Sequence, residues 1–148
     1  MRKEITVTNA DVIANRIDSR PRPEPNEVTA PYFAACARGE LLIQRCPDCG
    51  HAQHYPRALC TSCGAAPDWE RSSGQGTVYT FTVIRQTGVA PFREEVPYVV
   101  AMIELAEGPR LMGNVTGVDP EAVRIGMPVE VYMVQVDDEV GVPYWRAR

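Results

Sequence analysis

The sequence predicts a mainly β protein with one N-terminal helix, in which a small four-cysteine metal ribbon leads into a five-stranded barrel. Three observations carry this. Four cysteines fall in C-x2-C-x10-C-x2-C spacing, as Cys46-Pro-Asp-Cys49 and Cys60-Thr-Ser-Cys63. The stretch before them has the start and stop residues of a helix. The stretch after Gly76 is a succession of short runs dense in β-branched and aromatic residues.

Residues 1–27 read as an arm. Positions 21, 23 and 25 are prolines, an alternation that keeps the chain extended and removes regular backbone donors. Such an arm is either a loose tail or a strap laid on a partner subunit, and residues 10–17 within it suit a short helix. A helix is expected over 29–39. Thr29 is a candidate N-cap, Pro31 falls in the first turn where a missing N–H costs little, and Gly39 is a natural stop. Tyr32, Phe33 and Cys36 share one face of it. A short strand at 41–43 then feeds the ribbon, which spans roughly 44–68.

The cysteine spacing has a physical reason. Two intervening residues let one tight turn aim both sulfurs at a single ion, and Gly50 and Gly64 follow where the backbone must turn at positive φ. Two such turns supply four thiolates in a tetrahedron, the closed geometry of structural zinc. Protein fills every ligand position, so the ion Cys46, Cys49, Cys60 and Cys63 hold cross-links the fold and leaves no place for water or substrate.

Residues 72–76 read as a linker. Strands are expected at 76–85, 98–105, 111–115, 128–136 and 142–146, with a hairpin turn at 107–109, one helical turn capped by Asp119, and a turn at 137–139. Five short strands with a helical turn between the third and fourth are the pattern of a Greek-key barrel of OB type. The expected segments are therefore an arm at 1–27, helix plus ribbon at 28–71 and barrel at 72–148.

Composition narrows the function. At 148 residues the chain makes one ordinary domain or two small ones. No run approaches the length of a membrane span, and the N-terminal residues lack the apolar centre of a secretory leader. Cysteines in metal spacing suit a reducing compartment, so the expected location is the cytoplasm. A net charge of −4 and 7% aromatic residues argue against a nucleic-acid surface. A nucleic-acid-binding zinc-ribbon/OB module is nevertheless the rival reading, because barrel faces of this type accept strands.

The order of helix, four-cysteine ribbon and OB barrel resembles a family of zinc-ribbon/OB-fold proteins, formerly a domain of unknown function, that accompany thiolase-fold acyl-CoA enzymes. The resemblance covers about residues 29–148. It rests on Arg38-Gly-Glu-Leu-Leu-Ile-Gln-Arg-Cys46, Cys46-Pro-Asp-Cys-Gly-His51, Tyr55-Pro-Arg57 and Cys60-Thr-Ser-Cys-Gly64. In the barrel it continues through Gly76-Thr-Val-Tyr-Thr-Phe81, Pro97-Tyr-Val-Val-Ala101, Gly108-Pro-Arg-Leu-Met-Gly-Asn114 and Ile125-Gly-Met-Pro-Val129. It implies a rubredoxin-like ribbon holding one structural zinc, with iron the formal alternative. It also implies a subunit without activity of its own, required in a heteromer with a thiolase, acyltransferase or retro-aldolase of lipid metabolism. In that setting the chain stabilises its partner and shapes a channel for CoA or acyl-CoA.

The remaining reactive groups are few. The histidines are His51 and His54, and Cys36 is the one thiol outside the metal spacing. His51 is most simply a loop residue or a donor to a thiolate. Cys36, on an apolar face, is most simply a small hydrophobe, and a Cys36–His54 nucleophile pair is the sharper alternative. Given the implied CoA, Arg45 and Arg57 are candidate phosphate contacts, since a guanidinium fork matches phosphate oxygens; ordinary surface ion pairs are the plainer reading. Tyr32, Phe33 and Phe92 are candidate partner-interface residues, Phe92 because it is apolar in a long loop, where it either anchors a partner or folds back on the barrel.

Overall fold

Asn26 opens the first regular element of the computed structural model, which describes residues 19–148. The short helix expected at 10–17 lies outside the described residues. Asn26 Oδ1 accepts from Thr29 N at 3.0 Å, and Asn26 N donates back to Thr29 Oγ1 at 3.0 Å. This reciprocal pair has the logic of a capping box set one turn ahead of the helix; Thr29 holds the N-cap position as expected, without a side-chain cap bond of its own. The helix α1 (Ala30–Ala37) ends as expected. Gly39 sits at φ 84°, Gly39 N donates to Cys36 O and Glu40 N donates to Ala35 O, the two bonds of a Schellman stop.

A three-stranded antiparallel sheet follows, in the order β2 (Ala52–Gln53), β1 (Leu42–Arg45), β3 (Asp68–Arg71). The expected linker at 72–76 is fixed in place. Ser72 N donates to Leu41 O, and the carboxylate of Glu107 accepts from Ser72 Oγ at 3.0 Å and Ser73 N at 2.6 Å. Gln75 and Gly76 already belong to the first barrel strand.

The barrel is closed, in the order β4 (Gln75–Ile84), β5 (Tyr98–Leu105), β6 (Arg110–Thr116), β8 (Gly141–Ala147), β7 (Pro128–Gln135) and back to β4. Strand β4 is long and irregular between Val78 and Thr80; it pairs with β5 along Gly76–Ile84, and its first residues, Gln75, Gly76 and Thr77, also pair with β7 on the other side. Strands β6 and β8 are parallel, joined at Val115–Trp145 and Thr116–Arg146. One 3-10 turn, Pro120–Ala122, precedes β7, and the Asp119 side chain accepts from Glu121 N as expected of a cap.

One apolar cluster runs through ribbon and barrel together. Tyr32, Phe33 and Cys36 of α1 and Leu41 and Ile43 beside and within β1 pack with Val78, Ile103, Leu111, Val129 and Trp145. Helix α1 plugs the barrel where β8 begins: a Cβ on Gly141 would lie 2.4 Å from the carbonyl carbon of Cys36. Tyr32 and Phe33 are thus 3% and 8% exposed. The expectation that they face a partner is corrected: this chain's own ribbon and barrel cover most of their surface.

Candidate metal centre and adjoining surfaces

The two cysteine turns are built alike. In the first, Gly50 N donates to Cys46 O and Cys46 N donates to His51 O; in the second, Gly64 N donates to Cys60 O and Cys60 N donates to Ala65 O. Gly50 and Gly64 stand at φ 72° and 79°, as the spacing requires. A tetrahedral zinc with bonds of about 2.3 Å sets its sulfurs ~3.8 Å apart. Here Cys46 Sγ and Cys63 Sγ are 3.4 Å apart, Cys49 Sγ and Cys60 Sγ are 3.7 Å apart, and all four lie within 4.8 Å of one another. The donor set and its spacing therefore fit the ion. Backbone N–H groups of Cys63 and Ser62 point at Cys60 and hold its thiol below the usual thiol range. His51 is exposed, with its Nε2 3.1 Å from Thr61 Oγ1.

What fixes the two turns relative to each other is a buried amide pair that the sequence does not announce. Gln44 and Gln53 face each other across β1 and β2 and are 4% and 5% exposed. Gln53 Nε2 donates to Gln44 Oε1 at 2.9 Å. Gln44 also holds the backbone of Arg57, accepting from its N at 2.8 Å and donating to its O at 2.9 Å. Gln53 Oε1 accepts from Thr61 N at 2.9 Å, one residue past Cys60. The segment joining the two cysteine turns is thereby stapled to the sheet. It presents Tyr55 and Leu59, 45% and 57% exposed, on either side of Arg57.

The two candidate phosphate contacts differ. The Arg45 guanidinium forks onto Glu70, with Nη2 donating to Oε1 at 3.1 Å and Nε to Oε2, and Nη1 donates to Gly50 O at 3.0 Å. That engagement corrects its candidacy: it ties β1 to β3 under the first cysteine turn. Arg57 is exposed and forms no ion pair among the described residues. Phe92 folds back: its ring lies 6.2 Å from that of Tyr98, and the Arg20 guanidinium sits 4.8 Å above it. As a partner-facing residue it is therefore corrected, being half-buried under the strap.

Cys36 and His54 do not form a nucleophile pair. Burial pushes the Cys36 thiol up to about 12, and its hydrogen-bonding neighbour is the Tyr32 side chain. Burial likewise holds the His54 imidazole down at about 4, packed against Tyr32 and Tyr55 at 5.3 and 5.4 Å between ring centres.

Residues 19–26 lie along the barrel. Arg20 pairs with Glu95 and donates to the Tyr144 hydroxyl, and Arg22 Nε donates to Asp137 at 2.6 Å. No helix among the described residues is long and apolar enough to cross a membrane.

Known proteins resemble the chain along most of its described length. The model for the ChsH2 rubredoxin-like zinc ribbon domain matches residues 33–70, and that for the ChsH2 C-terminal OB-fold domain matches 69–134. A DUF35 domain-containing scaffold protein of Methanocaldococcus jannaschii is 38% identical over 103 residues, covering 67% of this chain and 71% of that protein. A probable enoyl-CoA hydratase alpha subunit of Thermomonospora curvata is 40% identical over 129 residues, 86% of this chain; the chain spans only 40% of that relative's length. The solved structure of an Ltp2-ChsH2(DUF35) aldolase contains a chain 37% identical, with a TM-score of 0.76, covering 85% of this chain and 98% of that one.

Proposed function

The chain belongs to the DUF35 family of ChsH2-type zinc-ribbon and OB-fold proteins, and on that footing we propose that it is a non-catalytic accessory subunit of a thiolase-fold enzyme acting on acyl-CoA. The observation that carries the proposal is the near end-to-end likeness to the chain solved within an aldolase of two named components. The chemistry agrees. The four cysteines saturate a tetrahedral ion, so a bound zinc supplies a cross-link. The other buried reactive groups are held neutral by burial, Cys36 where the helix meets the barrel and His54 at the ribbon edge beside Tyr32 and Tyr55.

The docking element is the stapled segment 55–59. The Gln44–Gln53 pair holds it rigid, so presenting Tyr55 and Leu59 to a partner costs little ordering entropy. Arg57 at its centre offers a free guanidinium to the phosphates of a CoA bound mainly by the partner. The rest of the chain holds that ledge: the zinc pins both ends and the barrel carries it.

The test is to produce the thiolase-fold enzyme from the same host with and without this chain, and to titrate CoA against the complex. Higher solubility and turnover with the chain present, and weaker CoA binding with Arg57→Ala, support the reading. Equal solubility and turnover with and without the chain would overturn the accessory role, and unchanged CoA affinity would remove Arg57 from it.

A further inference from the structure

Residues 20–25 cross the barrel as a strap that side chains alone attach. Pro21, Pro23 and Pro25 have no N–H to give, and among the described residues no backbone hydrogen bond joins 20–25 to the barrel. Arg22 makes exposed pairs with Asp137 and Glu139, of a kind that contributes little. Arg20 differs: its side chain is 8% exposed and that of its partner Glu95 6%. We infer that Arg20 is a releasable latch, and that the cage it fills is a binding site for an arginine guanidinium, open to a second arginine when the strap lifts.

The cage has the parts that a guanidinium needs. The Arg20 guanidinium lies 4.8 Å from the centre of the Phe92 ring and 5.9 Å from that of Tyr144, and such ring faces attract a cation. The Tyr144 hydroxyl accepts from Nη1, and the Glu95 carboxylate accepts from Nη2 and supplies the opposite charge. One loop fixes two of these groups together: the 3-10 turn Ala90–Phe92 is followed by Glu95 N donating to Phe92 O at 3.1 Å. Tyr144 comes from β8. Arg20, Phe92 and Tyr144 all line a cavity of about 820 Å³, which gives a second side chain a way in.

The latch is incomplete, which makes it exchangeable. Arg20 Nε and Glu95 Oε1 are both buried without a hydrogen-bond partner among the described residues, so one prong of a possible two joins the pair. When the strap lifts, Glu95 remains as a sheltered carboxylate beside aromatic rings, a state that costs free energy until a cation returns. The empty cage therefore selects a guanidinium over a neutral group of the same shape. Arg20 holds the site in the intact chain because its tether keeps it at high local concentration.

Every part of the cage belongs to this chain, so the inference stands apart from the proposed partner and is tested without one. The readout is amide hydrogen exchange across residues 86–97 of the zinc-loaded full chain, since Arg20 holds that loop down through Phe92 and Glu95. Arg20→Met, which lies outside the main core cluster, is expected to speed exchange there about ten-fold or more, as loss of a charged hydrogen bond implies. Nα-acetylarginine N-methylamide then slows it again, saturably, while the citrulline analogue, neutral and of the same shape, does not. The unsubstituted chain, its cage already filled, shows no further slowing. Glu95→Gln, with Arg20 in place, is the second variant: exchange speeds up and the arginine compound does not reverse it. Exchange unchanged in both variants, equal protection by the arginine and citrulline compounds, or arginine protection that survives Glu95→Gln would each overturn the inference.

Discussion

The carbonyl group of Cys36 lies against the Cα of Gly141, so close that a methyl group there would meet the carbonyl carbon at 2.4 Å and the Ala37 nitrogen at 2.5 Å. Those atoms are helix backbone and cannot swing aside. The joint between α1 and the barrel therefore depends on a missing side chain. Gly141→Ala is expected to lower stability by about 1–3 kcal/mol, the usual range for overpacking, or to displace the helix. Thermal unfolding measures it, with Gly88→Ala as the control, since a Cβ at Gly88 has nothing within 4 Å.

The thiolate cluster predicts one zinc per chain by elemental analysis. Cys49→Ser should abolish stoichiometric zinc, and a strong chelator should lower the thermal midpoint of the unsubstituted chain. Release should become easier as pH falls, because protons compete with the metal for the sulfurs. A chain that keeps its midpoint after complete zinc removal would contradict a structural role.

Gln44→Leu tests the amide staple. It leaves Gln53 Nε2 and both backbone groups of Arg57 without their Gln44 partner. Gln53 Nε2 keeps its 3.3 Å bond to Leu59 O, and each hydrogen bond lost costs roughly 0.5–1.5 kcal/mol. Zinc affinity should fall as well, since the segment joining the two cysteine turns comes loose; competition with a chromogenic chelator reads this directly.

His54 predicts a pH dependence with a definite sign. Its imidazole sits near 4 when folded, against about 6.5 in an unfolded chain. The unfolded state therefore binds its proton first, so the stability this group contributes is complete above about 6.5 and is lost as pH falls toward 4. His54→Phe should flatten that part of the stability profile, measured by denaturant unfolding across the window with zinc held constant.

How much of this was legible in the sequence divides along the range of the interactions. The cysteine spacing, the glycines at positive φ, the Gly39 stop and the five barrel strands all depend on neighbours within a few residues, and each stands where the sequence places it. Thr29 stands at the N-cap as expected, but the side chain that accepts from the backbone N–H groups of Val28 and Thr29 is that of Asn26, three residues earlier, which the sequence did not single out. The roles of Gln44, Glu107 and Arg20 were not legible. Each is an ordinary polar residue whose partners lie 9 to 124 positions away. Arg45 makes the surface ion pair that was its plainer reading, but its partner Glu70 was not legible, because the two become neighbours only when β1 and β3 pair. Tyr32 and Phe33 looked available to a partner because nothing near them in sequence shows that the barrel packs over their helix.

The central claim is that this chain works as part of a heteromer, and affinity capture of the tagged chain from its own host, followed by mass spectrometry, tests it most directly. The account predicts a thiolase-fold enzyme in near-stoichiometric amount, retained by the unsubstituted chain and lost when Tyr55 and Leu59 are both changed to Ser. Recovery of the chain with nucleic acid, or with no protein in comparable amount, would contradict it.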